Sequence, residues 1–464
     1  MLQVETLPPS FVLLLAALRP CFTAPSFHTF VTLVAGMIAS PGRRTVTAAW
    51  VAAGQAGVRH HARAFWFLGR ARWSADQVGD VLARLVAGLL LDPDEAVLVA
   101  VDDTLVRRSG RRVHAAFWHH DGAAKGPGRA VAWGNNWVIA AIVVQLPFRT
   151  RPMAVPVGFA LWQPNGPTKQ VLCCRLVARI AAALPGRRID VVADSAYAGA
   201  DGAAGAAVGA NRQRGLPAGV SLTSRLRANA KLHAIYDSTG KPRRGGRPRT
   251  IGAVLGTPKD LAAAGATTGA TTGATTGAWA TMAVTRYGTT ATVQVIDRSC
   301  LWYGAYRSRP MRVILVRDPA RPTKAGYELA LITTDLTAPT TTIITRYADR
   351  WPIETMIEDA KQHTGIGQTR TRTTHAVERA VPLTLTAHTL TVLWYARHGH
   401  DPADITDRQH TTPWYRTKTE PAYHDMIIKL RRTLITARFR AGTARKPTPE
   451  ETLAVHAAWA NAAA

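Results

Sequence analysis

The sequence predicts an α/β fold: a mixed sheet flanked by helices, preceded by an N-terminal helical domain and interrupted by a β-rich insertion. Three observations support this class. Apolar residues recur at helical spacing up to about residue 95, as in Ser74–Leu91. Two short apolar runs end in aspartate, AVLVAVDDT from Ala96 and IDVVADS from Ile189, and such runs are typical of buried strands. Alternating segments between residues 279 and 334 then indicate an antiparallel meander.

Residues 1–95 are expected to form the helical domain. Helical spacing is clearest in Thr45–Gly54 and Ser74–Leu91, where Ser74 is suited to cap the helix N-terminus. Between these helices, Val58–Trp73 interleaves basic and aromatic residues. Such a mixture suits a segment that contacts DNA. An arginine-rich surface over an aromatic core explains it equally well, and both interpretations stay open.

Residues 96–229 are expected to form the first part of the core. After the first aspartate-terminated run, Val113–Trp118 and Trp137–Gln145 predict further strands. Lys169–Leu184 has the pattern of a helix. The second aspartate-terminated run follows, and Gly219–Ser224 predicts the next strand.

Residues 230–335 are expected to form the β-rich insertion. Arg243–Thr250 (RRGGRPRT) is basic and rich in Gly and Pro, which suits either a hook in the DNA minor groove or a plain basic loop. ATTG occurs three times in Ala266–Gly277, and this low complexity predicts a flexible loop. The meander strands are expected at Trp279–Tyr287, Thr290–Arg298, Met311–Arg317 and Glu328–Thr334.

Residues 336–400 are expected to complete the core, and residues 401–464 to form a basic helical tail. A helical pattern begins near Pro339 and is interrupted at Pro352. Because proline is tolerated in the first turn of a helix and not in its interior, Pro352 is predicted to start a new helix. In the tail, Tyr423–Arg438 predicts one helix.

The charge balance indicates a polyanionic partner. The 464-residue chain contains 57 Lys and Arg against 30 Asp and Glu, a net charge of +27. Release of counterions favours the binding of such basic chains to nucleic acid. DNA is therefore favoured over a membrane as the partner. A GC-rich genome explains part of the arginine excess. The four cysteines show no C-x-x-C spacing, which fits a reducing cytosol. The apolar run Phe11–Leu18 is too short to span a bilayer.

One stretch combines four polar residues at helical offsets. Tyr347, Arg350, Glu354 and Lys361 follow the spacing Y-x2-R-x3-E-x6-K. On a continuous helix of about 3.6 residues per turn these offsets lie on one side. A hydroxyl, a guanidinium, a carboxylate and an ammonium in one stripe suit the binding of a phosphate beside a metal ion. Pro352 divides the stripe between two helical pieces, however, which weakens the argument from helical geometry.

Three carboxylates are candidates for metal binding. Asp103 ends the first aspartate-terminated strand, Asp194 ends the second, and Glu354 lies in the stripe. Mg²⁺ prefers oxygen ligands, and two such ions about 4 Å apart can activate a water or a 3′-hydroxyl for attack on a phosphodiester. Each residue also has a structural explanation, as a turn or cap residue or as a partner of the helix dipole. Their joint occurrence in a basic chain favours the metal site.

These motifs together resemble those of bacterial insertion-sequence transposases, which have a DDE catalytic core on an RNase H-like fold. The stripe, with Trp351 after the arginine and Ile353 before the glutamate, resembles the signature of one branch of that family. VAVDDT and VVADSAYAG resemble the regions that carry its first and second aspartates, and the resemblance spans roughly residues 96–395. In that branch a β-rich insertion precedes the helix that bears the glutamate.

The resemblance implies that Asp103, Asp194 and Glu354 are catalytic and hold two Mg²⁺ ions, with Mn²⁺ able to replace them. Asp103 is preferred to Asp102 because the family's first aspartate directly precedes threonine or a similar small residue, here Thr104. Neighbours on a strand point to opposite faces. Only one of the two is therefore expected to bind metal, and Asp102 is the alternative.

The resemblance also implies roles in DNA binding. Tyr347, Arg350 and Lys361 are expected to contact phosphates near the cleaved end, with plain helix-surface roles as the alternative. Trp351 is a further candidate, because an aromatic face can stack on an unpaired base. Packing of Trp351 against the core is the competing interpretation.

The implied activity is cut-and-paste transposition, a phosphodiester transesterification. A homodimer in complex with DNA would bind the terminal inverted repeats, cleave the element ends and join the 3′-hydroxyl to target DNA. A cytoplasmic, nucleoid-associated bacterial protein without a membrane partner is expected. Two alternatives stay open: a non-catalytic DNA-binding protein derived from a transposase, and a nuclease on the same fold. The presence of all three acids and the full stripe favours the transposase.

Overall fold

The computed structural model describes residues 7–122, 130–199, 215–237, 250–267, 278–412, 414, 416–442 and 448–462. Residues 243–249 of the basic segment and 268–277 of the ATTG repeat lie outside the described residues. The described helices are α1 Pro9–Ala17, α2 Ala24–Ala39, α3 Val46–Ala52, α4 Ala62–Gly69, α5 Ala75–Leu90, α6 Lys169–Ala183, α7 Pro258–Thr267, α8 Tyr303–Tyr306, α9 Thr340–Ala348, α10 Pro352–Asp359, α11 Thr374–Trp394, α12 Ala403–Thr411, α13 Tyr423–Gly442 and α14 Pro449–Ala462. The described strands are β1 Val97–Arg107, β2 Phe117–His120, β3 Val131–Val144, β4 Met153–Trp162, β5 Ile189–Ala193, β6 Val220–Arg225, β7 Leu232–Ile235, β8 Ile251–Gly256, β9 Ala280–Arg286, β10 Thr289–Cys300, β11 Met311–Arg317 and β12 Leu329–Thr333.

The chain divides into two compact units, each built from separate stretches. The first unit comprises Met1–Pro93, Asp103–Gln163 and Ile353–Ala464, and the second comprises Asp94–Asp102 and Pro164–Pro352. Helices and mixed sheet together confirm the predicted α/β class. None of the helices in the described part of the chain is long and apolar enough to cross a membrane.

The second unit is built on a mixed sheet. Its strands follow the order β1-β5-β6-β12-β11-β10-β9. β1, β5 and β6 are parallel, with Val97 to Val101 opposite Ile189 to Ala193. β12 runs antiparallel to β6, and β9 to β12 form the predicted antiparallel meander. The meander therefore extends the same sheet that carries the aspartate-terminated strands.

Helix α9 covers the meander. Ile343 and Ile344 of this helix are fully buried against valine, isoleucine and leucine side chains of β9 to β12, and Tyr347 belongs to the same apolar cluster. Burial of large apolar side chains is the main force that fixes a helix on a sheet. The tyrosine of the polar stripe is thus held by its ring in a core.

The first unit contains β2, β3 and β4 around the end of β1. β3 pairs with β2 and β4 in antiparallel fashion. Gly134 on β3 permits close approach to β1, since a Cβ atom at this position would lie 2.4 Å from the carbonyl oxygen of Val106. Strand β2 begins only at Phe117, so the predicted strand Val113–Trp118 is wrong over its first four residues. The cause is Ala115, whose φ of 52° is incompatible with an extended strand.

Helix α11 is the central helix of the first unit and packs against β4 and the helices α1, α2, α4, α5 and α13. It is buried on almost every side despite several threonines. Buried hydroxyls are costly unless they find acceptors, and here each acceptor is a main-chain carbonyl. The hydrogen bonds run from Thr384 to Ala380, Thr386 to Pro382, Thr391 to Ala387, and from Thr389 across to Pro156 of β4.

Candidate active site

Two neighbouring parallel strands of the sheet, β1 and β5, carry the predicted aspartates. Strand β1 continues to Arg107, so the prediction that Asp103 ends this strand is wrong, because β1 goes on beyond the residues that pair with β5. The last register pair of β1 and β5 is Val101 opposite Ala193. Asp102 and Asp194 are the residues that directly follow this pair. Paired positions on neighbouring strands face the same side, whereas consecutive residues alternate. The register therefore favours Asp102, which is in step with Asp194, over Asp103.

Arg350 links the first of these aspartates to the stripe. Its Nη1 atom lies 3.3 Å from Oδ2 of Asp102, and both side chains are largely buried. The guanidinium also lies 5.8 Å from the centre of the Tyr347 ring. A shielded ion pair of this kind is stronger than one on the surface, because less water screens it. Arg350 is thereby held beside a carboxylate of β1.

Electrostatics connect Tyr347 with the second aspartate. Burial raises the pKa of the Tyr347 hydroxyl, the positive charge of Arg350 lowers it, and the negative charge of Asp194 raises it again. Arg225, at the end of β6, adds a second positive charge. The hydroxyl therefore stays protonated near neutral pH and can donate a hydrogen bond to an anionic oxygen.

Asp194 also has a structural task. Its Oδ1 accepts a hydrogen bond of 2.5 Å from the main-chain N–H of Ser195 and so caps the 3-10 turn Ser195–Tyr197. Ser224 Oγ donates to the main-chain oxygen of Asp194 at 2.9 Å. These bonds fix the end of β5. The cap role considered for this residue is therefore present, and it orients the carboxylate.

A buried ion network positions the helix that carries Tyr347. Arg346 on α9 lies 3.1 Å from Asp190 of β5 and 3.0 Å from Asp335, which follows β12. Arg188 contacts the same two carboxylates at 3.3 and 2.7 Å. The network joins α9 to two strands of the sheet. Sequence reasoning missed it, because the pairing of these residues depends on the register of β5 and β12.

Helix geometry divides the stripe. α9 ends at Ala348 and α10 begins at Pro352, as predicted from the proline. Tyr347 therefore lies at the end of one helix, Arg350 lies between the helices, and Glu354 occupies the first turn of the next. The four residues do not share one continuous helical face.

The remaining predicted residues belong to different surroundings. Asp103, Glu354 and Lys361 belong to the first unit. Lys361 lies in a π-helical turn, where burial lowers its pKa and the charge of Asp121 opposes that shift. Trp351 is 53% exposed, so much of its ring is not packed in a core.

Whether this part of the structure can hold a metal ion depends on the carboxylate side chains that could serve as ligands. Among the residues that the structure describes, no three His, Cys, Asp or Glu side chains are grouped closely enough to hold a metal ion. Mg²⁺, however, is commonly bound through one or two carboxylates together with water and substrate phosphates. Asp102 and Asp194, which follow the last paired residues of β1 and β5, have this chemistry. The second unit therefore offers a donor pair that fits Mg²⁺.

Comparison with known proteins agrees with this chemistry. No curated protein sequence matches the chain. A family model described as DDE superfamily endonuclease matches residues 17–291. The matched range includes both aspartate-terminated strands and ends before the polar stripe. Because this range is more than half of the 464 residues, the chain belongs to the DDE superfamily endonuclease family.

Proposed function

We propose that this protein is a DNA transposase that cleaves element ends and joins the resulting 3′-hydroxyl to target DNA. The observation that carries the proposal is the group Asp102, Asp194, Arg350 and Tyr347 in the second unit. It combines two carboxylates, which follow the last paired residues of β1 and β5, with an arginine and a tyrosine hydroxyl. Family membership and the net charge of +27 support DNA as the substrate.

Each side chain has a distinct proposed task. Mg²⁺, when bound, would polarise the scissile phosphate and favour a deprotonated nucleophile. Asp194 and one of Asp102 and Asp103 are the proposed carboxylate ligands. Glu354 completes the set on the strength of the resemblance. The proposed reaction takes place in a homodimer that holds both element ends.

The cationic and hydroxyl groups bind rather than react. Arg350 offers a planar fork that matches two phosphate oxygens. Tyr347 donates one hydrogen bond, and its buried ring limits the directions in which the hydroxyl points. Lys361 contributes a point charge, and Trp351 offers an aromatic face for an unpaired base. Such groups orient the scissile phosphate before attack.

The choice between the adjacent aspartates is part of the proposal. The family resemblance favours Asp103, whereas the register of β1 with β5 favours Asp102. Asparagine preserves the shape of aspartate and removes its charge. We expect Asp102→Asn to lower cleavage far more than Asp103→Asn, and the opposite ranking would assign the role to Asp103.

The test is a cleavage and strand-transfer assay in Mg²⁺ on linear DNA that carries the ends of the element. Wild type is expected to nick the ends and to form joined products. Asp194→Asn and Glu354→Gln should each lower both yields at least about 100-fold, in keeping with the loss of metal affinity. Asp318→Asn is the matched control, because Asp318 precedes a turn and pairs with Arg321 at 3.9 Å, and because asparagine keeps the side-chain oxygen that accepts from the N–H of Ala320.

The outcomes separate the alternatives. Cleavage without joined products would indicate a nuclease on this fold. DNA binding with no metal-dependent cleavage would indicate a non-catalytic binding protein. Full activity of Glu354→Gln or Asp194→Asn would overturn the proposed catalytic set.

A further inference from the structure

A cavity of about 470 Å³ in the first unit is lined by arginines. Three segments form it: residues 43 and 45, residues 107–110 with Val113, and residues 367–372. The charged lining consists of Arg43, Arg107, Arg108, Arg370 and Arg372. No aspartate or glutamate is among its described lining residues. Such a concentration of like charge is unfavourable unless an anion offsets it.

Hydrogen bonds donated by main-chain N–H groups hold the three segments together. The N–H of Arg44 donates to the side-chain Oε1 of Gln368 at 2.8 Å, which joins the first segment to the third. The N–H of His114, next to Val113, donates to the carbonyl oxygen of Arg372 at 2.9 Å, which joins the second to the third. The fold thus holds the three segments of the cavity together.

Asn135 on β3 organises the second segment. It is fully buried, and its Nδ2 atom donates to the carbonyl oxygens of His114 and Ala115 at 2.9 and 2.7 Å. Its Oδ1 accepts from Nε of Arg108 at 2.9 Å. The same side chain therefore shapes the loop and orients one arginine of the cavity.

Two buried polar atoms of the cavity have no hydrogen-bond partner within the described chain. They are Nη2 of Arg108 and Oγ1 of Thr371, and Thr371 is only 5% exposed. Buried polar groups usually find partners, so a group left without one indicates where a ligand binds. Burial lowers the pKa of Arg108 to about 10, so it still carries its charge at neutral pH. Both atoms are donors that suit the oxygens of an anion.

Arg370, in the third segment, has a strained backbone conformation. Arg370 adopts a φ of 52°, in the left-handed region that L-residues rarely occupy. Gly367 has a φ of 87°, and a Cβ atom there would lie 2.6 Å from Cγ1 of Val106. Residues held in such conformations are often found at functional sites. The exposed side chain of Arg370 therefore stands at the cavity through a conformation that the surrounding fold maintains.

One of the five arginine charges is offset by a neighbouring carboxylate. Asp121 pairs with Arg107 at 2.5 Å. Arg108 donates hydrogen bonds to neutral oxygens, those of Asn135 and Gly367. Arginine forks match phosphate geometry and are weakly hydrated, so they bind phosphate oxygens well.

We propose that this cavity binds a backbone phosphate of duplex DNA. The proposal rests on the proposed DNA substrate. The cavity would hold the DNA backbone at a fixed position on the first unit.

The experiment measures DNA affinity as a function of salt concentration. The probe is a short fluorescent duplex of arbitrary sequence, and the full-length variants are Arg370→Gln, Arg372→Gln and their combination. Each phosphate contact contributes about 0.9 to the slope of log K against log salt. Because one phosphate is bound, we expect the double variant to lower the slope by about 0.9 and each single variant to lower it by no more than that. Arg321→Gln is the control, because its side chain is 89% exposed and does not line the cavity.

A second measurement distinguishes DNA from a small anion. Inorganic phosphate is titrated into wild type and the double variant, with thermal unfolding as the readout. Unchanged salt slopes in the double variant would overturn the proposal, and so would a slope lowered equally by Arg321→Gln. Stabilisation by inorganic phosphate that the double variant lacks, with DNA affinity unaltered, would identify a small-anion site instead.

The two proposals can fail separately. A lower salt slope in the double variant, together with a wild type that never cleaves DNA, would support DNA binding by the cavity and contradict the transposase activity. Cleavage by wild type, together with unchanged salt slopes in the double variant, would support the transposase activity and contradict DNA binding by the cavity. The circular dichroism spectrum of each variant should match that of wild type. A difference in DNA affinity then reflects binding and not folding.

Discussion

The ion network behind Tyr347 allows a stability prediction with an internal control. Arg346 and Arg188 both contact Asp190 and Asp335, at distances between 2.7 and 3.3 Å. Their surroundings differ, because the Arg346 side chain is 18% exposed and that of Arg188 is 50% exposed. We expect Arg346→Met to destabilise the protein much more than Arg188→Met, although each removes a cation from the same pair of carboxylates.

The magnitude follows from burial. Removing one partner of a buried ion pair costs about 3–5 kcal/mol, because a charge is left buried without compensation. Arg188 still contacts both carboxylates in Arg346→Met, so the lower value of about 3 kcal/mol is expected. The half-exposed Arg188 should contribute about 1 kcal/mol or less. In a domain of this size, 3 kcal/mol lowers the melting temperature by roughly 6–12 °C.

The pH dependence supplies a second signature. Burial by itself raises the pKa of Asp335, but hydrogen bonds from the N–H groups of Ala338 and Thr337 and from Arg346 bring it down to about 2. The unfolded value is about 3.9. Asp335 therefore stabilises the fold above pH 4, and this contribution is lost as the pH falls from about 4 through 2. The difference between wild type and Arg346→Met should shrink over that range.

The assay is thermal unfolding followed by circular dichroism at pH 7 and at pH 3. Equal shifts for Arg346→Met and Arg188→Met at pH 7 would refute the reasoning, because burial would then not decide the cost. A difference between wild type and Arg346→Met that does not shrink at pH 3 would refute the proposed role of the ionised Asp335.

Two further predictions concern exposed and buried aromatic rings. Trp351→Ala should change the unfolding free energy by no more than about 0.5 kcal/mol, yet weaken binding of single-stranded DNA by about 1–3 kcal/mol through lost stacking. Trp414→Ala is the control, because Trp414 is also exposed, at 75%. An equal loss of single-stranded DNA affinity in both variants would contradict a specific role for Trp351. His388 stacks on Tyr423 at 3.9 Å, and burial lowers its pKa to about 3, so the folded state binds its proton only in strong acid. The free energy of unfolding should therefore fall as the pH drops from about 6.5 towards 3, by about 1.4 kcal/mol per pH unit from this residue. Urea unfolding at pH 7 and at pH 5 should show a smaller decrease in this free energy for His388→Phe than for wild type. An equal decrease in both proteins would contradict the role given to His388.

Much of the fold could be predicted from local patterns. The aspartate-terminated runs are β1 and β5, Lys169–Leu184 matches α6, and Pro352 begins α10. Strand β4 was not predicted, because Pro156 and Gly158 are typical breakers of a strand. The structure accommodates them with a register shift opposite Ala140 and Ala141, where a bulge removes the need for a regular ladder.

The candidate site divides in the same way. Sequence alone determined the chemistry: carboxylates after two buried strands, the stripe residues, and a basic chain suited to DNA. Tertiary structure decided which groups meet. The register of β1 with β5 brings the residues just before Asp102 and Asp194 opposite each other, and Arg350 reaches Asp102 across 248 positions of sequence. Strand register and long-range ion pairs depend on residues far apart in the chain, so no local pattern of spacing could have specified them.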